Sequence, residues 1–318
     1  MKDKLQINLF GSSYRGYRFP FTIKMMEELQ NVTHKDRIKV CIHAETDALN
    51  QWQQYFSIKS PHVETHFIHY PNSDYMNRVH SALMTDCKYS CKLDDDVLIS
   101  RHVLDYILEN LNSICHQYPI IAPILTNGMP STELFIQDFL SQEDKKLAYD
   151  IFCNTRIESH FHLDYSSLDK KVQSMSEWND REYWDYAAIA DTKWDSKNLP
   201  WCYFIVRGMH PARLSYEYNR FIAERIFANK EKFFGKNQYS FDTYVTPYFT
   251  NNMFVSETEY WRQTTPIHGG GFDEGQLSVR MAMDNSSVLY IRNGFGIHMA
   301  YGMTHRARDI EQLYIENL

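Results

Sequence analysis

No run of 18 or more apolar residues occurs in this 318-residue chain, so no segment has the length to cross a bilayer as a helix. The opening residues, Met1-Lys-Asp-Lys-Leu-Gln, lead into a strand-like run without the apolar stretch and cleavage site of a signal peptide. A cytoplasmic protein is therefore expected. Basic excess is missing too: 33 Lys and Arg against 40 Asp and Glu give a net charge of −7. Duplex nucleic acid is gripped by clustered cations, so no nucleic-acid partner is expected. The six cysteines (Cys41, Cys87, Cys91, Cys115, Cys153, Cys202) are scattered through expected core elements. Cys87 and Cys91 have no second pair at metal-ligand spacing, which points to free buried thiols in a reducing compartment. Repeats and low-complexity linkers are absent as well. Aromatics, by contrast, are plentiful at 15%, with 22 Tyr and 6 Trp. Beyond packing, such rings can stack on sugars or sit at a bilayer interface.

The hydrophobic content, 43%, suffices for one large domain or two closely joined ones. The first half reads as alternating strands and helices. Strands are expected at residues 5–10, 38–44, 63–70, 89–93 and 120–125, judged by short apolar runs. Helices are expected at 20–30, 47–56, after Ser73 or Asp74, and at 102–114; Thr46 is the expected cap of the second. Phe21, Met25, Met26 and Leu29 mark the buried face of the first helix, and Met76, Val79, Leu83 and Met84 that of the third. Repeated β-α-β order with short connections predicts an α/β protein with a mostly parallel sheet flanked by helices. Residues 141–199 lack strand periodicity and read as a helical and loop insertion. Regular structure is expected to return from Trp201, with strands at 203–206, 253–256 and 291–300 and a helix after Pro211.

Ligands of such sheets bind at the carboxyl ends of the strands. Asp94, Asp95 and Asp96 stand at one such end, in Lys92-Leu-Asp-Asp-Asp-Val-Leu-Ile. Adjacent carboxylates repel one another, and sharing a cation relieves that cost. Hard ions such as Mg²⁺ or Mn²⁺ suit this donor set and keep open sites for water or phosphate oxygens. The competing reading is an acidic solvent-facing turn, which the apolar flanks disfavour.

Leu93-Asp-Asp-Asp-Val resembles the Asp-x-Asp motif of the glycosyltransferase A fold, a Rossmann-like architecture, and within it glycosyltransferase family 2. A second match runs from Asn251 to Trp261 and on through Gly269-Gly-Gly-Phe-Asp-Glu-Gly-Gln-Leu-Ser-Val-Arg. The resemblance covers most of residues 1–130 and 200–300. It implies that Asp96 contacts Mn²⁺ or Mg²⁺ and that Asp94 faces nucleotide or sugar. It also puts the catalytic carboxylate at Asp273 or Glu274, since one Asp-Glu occupies both places of the family's acidic pairs, in reversed order. His298, in the closing strand, corresponds to a further metal ligand, with His305, Arg306 and His268 as competitors. The implied activity is an inverting, hexosyltransferase-type transfer from a nucleotide-sugar donor, UDP-sugars favoured, to a glycan or lipid-linked acceptor. Such an acceptor would suit peripheral work at the inner membrane, although no basic amphipathic helix marks the chain for it. On this reading residues 1–130 bind the donor, 141–199 shape the acceptor site, and 200–318 complete the same domain.

The chemistry also follows from the residues. Inverting transfer needs a carboxylate to take the acceptor's proton, and Asp273 and Glu274 lie apart from the triplet beside a glycine-rich loop. Asp273 could instead cap the helix that follows. Glu45, Asp47, Arg15, Arg18 and Arg78 are candidate donor contacts by position, as is Asp95. His160 and His162 read better as a surface strand than as a second metal site. Two other classes stay open: a nucleotidyltransferase that makes nucleotide sugars, and a non-enzymatic Ca²⁺- or sugar-binding module. The loop Gly11-Ser-Ser-Tyr-Arg-Gly lacks the glycine density of a nucleotidyltransferase phosphate loop.

Overall fold

The computed structural model describes residues 2–11, 19–70, 75–115, 117–126, 128, 131–154, 216–244, 249, 252–264, 273–299 and 307–318. Among the described residues nine strands form one sheet in the order β3-β2-β1-β4-β8-β6-β9-β5, with β7 paired to β9. The strands are β1 (Lys2–Phe10), β2 (Ile38–Ala44), β3 (Glu64–His69), β4 (Cys87–Asp94), β5 (Val97–Ile99), β6 (Ile120–Leu125), β7 (Ser240–Tyr244), β8 (Met253–Glu257) and β9 (Val288–His298). Pairings β1–β2, β2–β3, β1–β4 and β6–β9 are parallel, while β8, β5 and β7 run antiparallel to their neighbours. Six strands therefore point one way, and the expected mostly parallel sheet is found.

Helices cover the sheet: α1 (Phe19–Gln30), α2 (Thr46–Ile58), α3 (Tyr75–Ala82), α4 (Arg101–Ile114), α5 (Ser131–Phe139) and α6 (Gln142–Asn154) come from the first half. The second half adds α7 (Tyr216–Ala228), α8 (Lys230–Phe234), α9 (Thr258–Thr264), α10 (Asp273–Met283) and α11 (Ala307–Asn317). In α1, Phe21, Met25, Met26 and Leu29 are buried, as their helical spacing requires. Ser100 caps α4 by accepting from the His102 amide. Two local expectations fail. Thr46 opens α2 rather than capping it; Glu45 takes the cap position, and the Thr46 hydroxyl pairs instead with His69 Nε2 at 2.8 Å. Met84 lies beyond the end of α3 and is 70% exposed, off the buried face that Val79 and Leu83 share.

The central strand β1 explains the core. Leu5, Ile7 and Leu9 face one side and Gln6, Asn8 and Phe10 the other, all buried. Burying amides is costly unless they bond, and these do: Gln6 Nε2 donates to Asn8 Oδ1 (2.8 Å) and to the Ala82 carbonyl (2.7 Å). Four described cysteines, Cys41, Cys87, Cys91 and Cys115, are free and buried. Burial pushes the Cys41 thiol up to about 11 and the Cys115 thiol to about 12, so both are inert thiols. Among the described residues no helix is long and apolar enough to cross a membrane.

Chain connectivity shows that the sheet curls. Only Asp95 and Asp96 separate β4 from β5, a reach of roughly 11 Å at most from Asp94 to Val97. In sheet order, three strands lie between them, about 19 Å if the sheet were flat. Curling brings β9 back to the end of β4. Gly296 lets the Leu125 and Ile99 side chains pack close against β9, since a Cβ there would meet Leu125 Cδ2 at 2.6 Å and Ile99 Cγ2 at 2.7 Å. Asn293, with φ of 62°, sits beside the register shift that lets one half of β9 pair with β7 and the other with β5.

Candidate functional site

One acidic position on the β4–β5 corner, Asp96, meets the end of β9. Val97 pairs with His298 across the β5–β9 ladder, and the Met299 amide donates to the Asp96 carbonyl at 2.8 Å. This register puts Asp96 Oδ1 3.8 Å from His298 Nε2, with both side chains buried. Thr126 Oγ1 accepts from the His298 amide at 3.1 Å and fixes the strand end. On the other flank the Thr22 hydroxyl of α1 donates to the Asp95 carbonyl at 2.9 Å, tying the corner to the helix that follows β1.

Asp94 has a different environment. The Lys92 ammonium, 2% exposed, lies 2.8 Å from its Oδ1, and Asn252 Nδ2 donates to its Oδ2 at 3.0 Å. The Asp94 amide donates to the Asn252 carbonyl at 3.0 Å. Sequence reasoning missed Lys92 and Asn252 as parts of the site. The signal was present for Lys92: a lysine in a central strand is almost never buried without an anion. Nothing local in the sequence ties Asn252 to Asp94, a pairing that depends on β8 lying against β4.

A second cluster occupies the adjoining strand ends. Phe10 of β1 registers with Asp94 on one side and with His43 of β2 on the other. The His43 ring stacks on Phe10 (centroids 4.9 Å apart) and on Tyr70 (5.8 Å). Its Nε2 is 3.0 Å from Asn8 Oδ1, which already accepts from Gln6, so His43 is the donor and Nε2 carries the proton. Burial, aided by the Arg78 charge, holds the imidazole neutral, with its pKa lowered to about 3. Arg78 Nη2 donates to Glu45 Oε1 at 3.3 Å, so two expected donor contacts are brought together just past β2. Asp47 is exposed in the first turn of α2.

The neutral His43 has a measurable consequence. An unfolded histidine takes up a proton below about pH 6.5, whereas the folded one resists until about 3, so stability falls as pH drops through that window. The slope approaches about 1.4 kcal/mol per pH unit. His43→Phe, which keeps a ring between Phe10 and Tyr70, should remove about 2 kcal/mol of the stability difference between pH 6.5 and 4.5. Equal acid sensitivity of both proteins in denaturant titrations would refute the assignment.

Several expected residues lie outside the described ones: Arg15, Arg18, His160, His162, His268, His305 and Arg306. Asp273 and Glu274 open α10, which places Asp273 inside the helix rather than at a cap; their side chains are outside the described set. Among the described residues no three His, Cys, Asp or Glu side chains gather as a ready metal cage. Asp96 and His298 do fit a shared ion. Ligand bonds of about 2.0–2.2 Å put two donors on one ion up to roughly 4.3 Å apart, and 3.8 Å lies within that reach. The remaining positions would go to water and ligand oxygens, as hard cations prefer.

No protein-family model matches the sequence. No curated protein matches it either. Among solved structures it is similar to a mannosyltransferase of Pyrobaculum calidifontis in complex with GDP-mannose and Mn²⁺, at TM-score 0.34 and 11% identity over 42% of this chain and 38% of that one. It is similar to S. aureus TarS in complex with UDP-GlcNAc, at TM-score 0.31 and 11% identity over 40% of this chain and 35% of the other. It is similar to GalNAc-T7 with UDP, GalNAc and Mn²⁺, at TM-score 0.45 and 9% identity over 93% of this chain and 43% of that one. The chain thus spans less than half the length of each, and likenesses at these scores assign it no activity.

Proposed function

We propose that this protein is a divalent-metal-dependent glycosyltransferase that takes its sugar from a nucleotide-sugar donor. One observation carries the reading: Asp96 and His298, 202 positions apart in sequence, meet at 3.8 Å at the carboxyl end of a largely parallel sheet. A bound Mn²⁺ or Mg²⁺ would supply Lewis-acid stabilisation of the departing diphosphate.

The chain's own residues divide the remaining work. Asp96 and His298 hold the ion's protein side. Glu45, oriented by Arg78, accepts from a base N–H or ribose hydroxyl over β2. About 10 Å of sheet, two strand spacings, separates β2 from β4, a span suited to a nucleotide lying across the strand ends. Asp94 faces the ribose or sugar, and Asp95 and Asp47 line the same rim, with Arg15 available to phosphate. Asp273 or Glu274 takes the proton from the acceptor hydroxyl, a carboxylate role suited to inversion. UDP-sugars are the favoured donors and a glycan or lipid-linked saccharide the acceptor, with residues 141–199 shaping its site. The protein works in the cytoplasm, at the periphery of the inner membrane where the acceptor is lipid-linked.

The test is a thermal-shift and calorimetric screen of UDP, GDP, TDP and CMP, each with and without Mn²⁺. A ligand bound by the folded state alone raises the melting temperature by mass action. Metal-dependent stabilisation by one nucleoside diphosphate is expected, and its identity names the donor class. Silence from every nucleotide, with a response to Ca²⁺ or free sugars, would overturn the reading in favour of a binding module.

A further inference from the structure

The acidic triplet holds a built-in cation of its own. Lys92 lies on β4 two residues before Asp94, so both side chains leave the same face of the strand. That face is the covered interior of the sheet, and Lys92 is 2% exposed there. An ammonium so placed must be compensated. Its Nζ sits 2.8 Å from Oδ1 and 3.0 Å from Oδ2 of Asp94, astride the carboxylate, while Asn252 Nδ2 holds Oδ2 from β8's side at 3.0 Å. The Asp94 amide is also fixed, by the Asn252 carbonyl. Asp94 is clamped at backbone and side chain before any ligand arrives. The Asp96 carboxylate lies against His298.

We propose that Lys92 is an internal counter-ion that holds Asp94 out of the metal's ligand set and lowers the charge of the triplet, leaving the ion to Asp96 and His298. The proposal rests on the metal-dependent reading above and assigns Lys92 a positioning role within it. Three bare carboxylates would attract a cation most strongly yet bind it in competing ways. With one of them neutralised by Lys92, the ion has one carboxylate and one imidazole in register, and Asp94 keeps a fixed orientation beside it.

A charge-cancelling pair of substitutions tests this by calorimetric titration of Mn²⁺ alone into the full chain. Lys92→Met removes the positive charge at nearly constant volume, and Mn²⁺ binding should tighten about three- to tenfold because a nearby repelling cation is gone. The double variant Lys92→Met with Asp94→Asn is neutral at both positions and should bind Mn²⁺ within about twofold of the wild type. A Lys92→Met protein that binds Mn²⁺ no better than wild type, or worse, would overturn the proposal. A double variant at least tenfold weaker than wild type would show that Asp94 ligates the metal, which overturns the proposal. If the single variant does not fold, the double variant alone decides. Wild-type protein that binds no Mn²⁺, with or without a nucleoside diphosphate, would overturn the functional reading and this inference with it. Wild-type binding with the variants out of the expected order would overturn this inference alone.

Discussion

Asp96→Ala is expected to abolish Mn²⁺-dependent stabilisation by a nucleoside diphosphate and to lower sugar transfer by on the order of 10³-fold or more. The size follows from the role. Metal-assisted departure of a diphosphate is worth several kcal/mol in the transition state, and each 1.4 kcal/mol is a factor of ten. Of the triplet, Asp96 is the member whose carboxylate meets the imidazole of His298. Asp95 offers its carbonyl to Thr22, and Asp94 is clamped by Lys92 and Asn252. The fold should tolerate the change, because the Asp96 backbone carbonyl keeps the Met299 amide and the β5–β9 pairing does not involve the carboxylate. His298→Ala should act in the same direction with a smaller loss, since an oxygen ligand remains. Melting curves with and without UDP and Mn²⁺ read the first effect, and a transfer assay with the matching donor reads the second. An Asp96→Ala protein still stabilised by the metal and nucleotide together would remove Asp96 from the site.

How much of this was legible in the sequence depends on the range of the interaction. Strands β2 and β6 are found at the residues their apolar runs predict, because a strand buried on both faces is written as a continuous run of aliphatic side chains. The parallel half of the sheet follows from the β-α-β rhythm, and the acidic corner from the abrupt end of β4. The short strand β5 was hidden in Val97-Leu-Ile, three residues that β9 alone makes a strand. Strand β7 was hidden because Ser240–Tyr244 alternates against Arg292 and its neighbours without an apolar run. Thr46 looked like a cap because Thr before a helix often is, yet His69, 23 residues away, takes its hydroxyl.

The site divides the same way. The triplet and His298 were nameable from local pattern and resemblance, but the meeting of Asp96 with His298 depends on the curl of the sheet. The Glu45–Arg78 pair could be suspected from position, since both follow strands at the same edge. His43 was not, because a histidine ending an apolar strand looks like any other core residue. Its neutrality follows from its burial, aided by the charge of Arg78, which is 35 residues away in sequence.

The other large effect is expected at the start of α10. Glu274→Gln and Asp273→Asn should leave metal-dependent donor binding unchanged while one of them lowers transfer by about 10²- to 10⁴-fold, the usual range for loss of a general base. The separation between binding and transfer is the point of the test. Both residues lie at the amino end of an 11-residue helix (Asp273–Met283), and the proposal gives neither of them a part in holding the nucleotide. A negative charge in the first turn of a helix is also stabilised by the helix dipole. The two substitutions therefore carry different signatures. Loss of a charge that serves only the helix costs about 0.3–1 kcal/mol of stability with little change in transfer. The base costs transfer, with kcat falling and the melting temperature holding. Wild-type transfer rates in both variants would move the base elsewhere in the crevice and leave the α10 carboxylates as helix-stabilising charges alone.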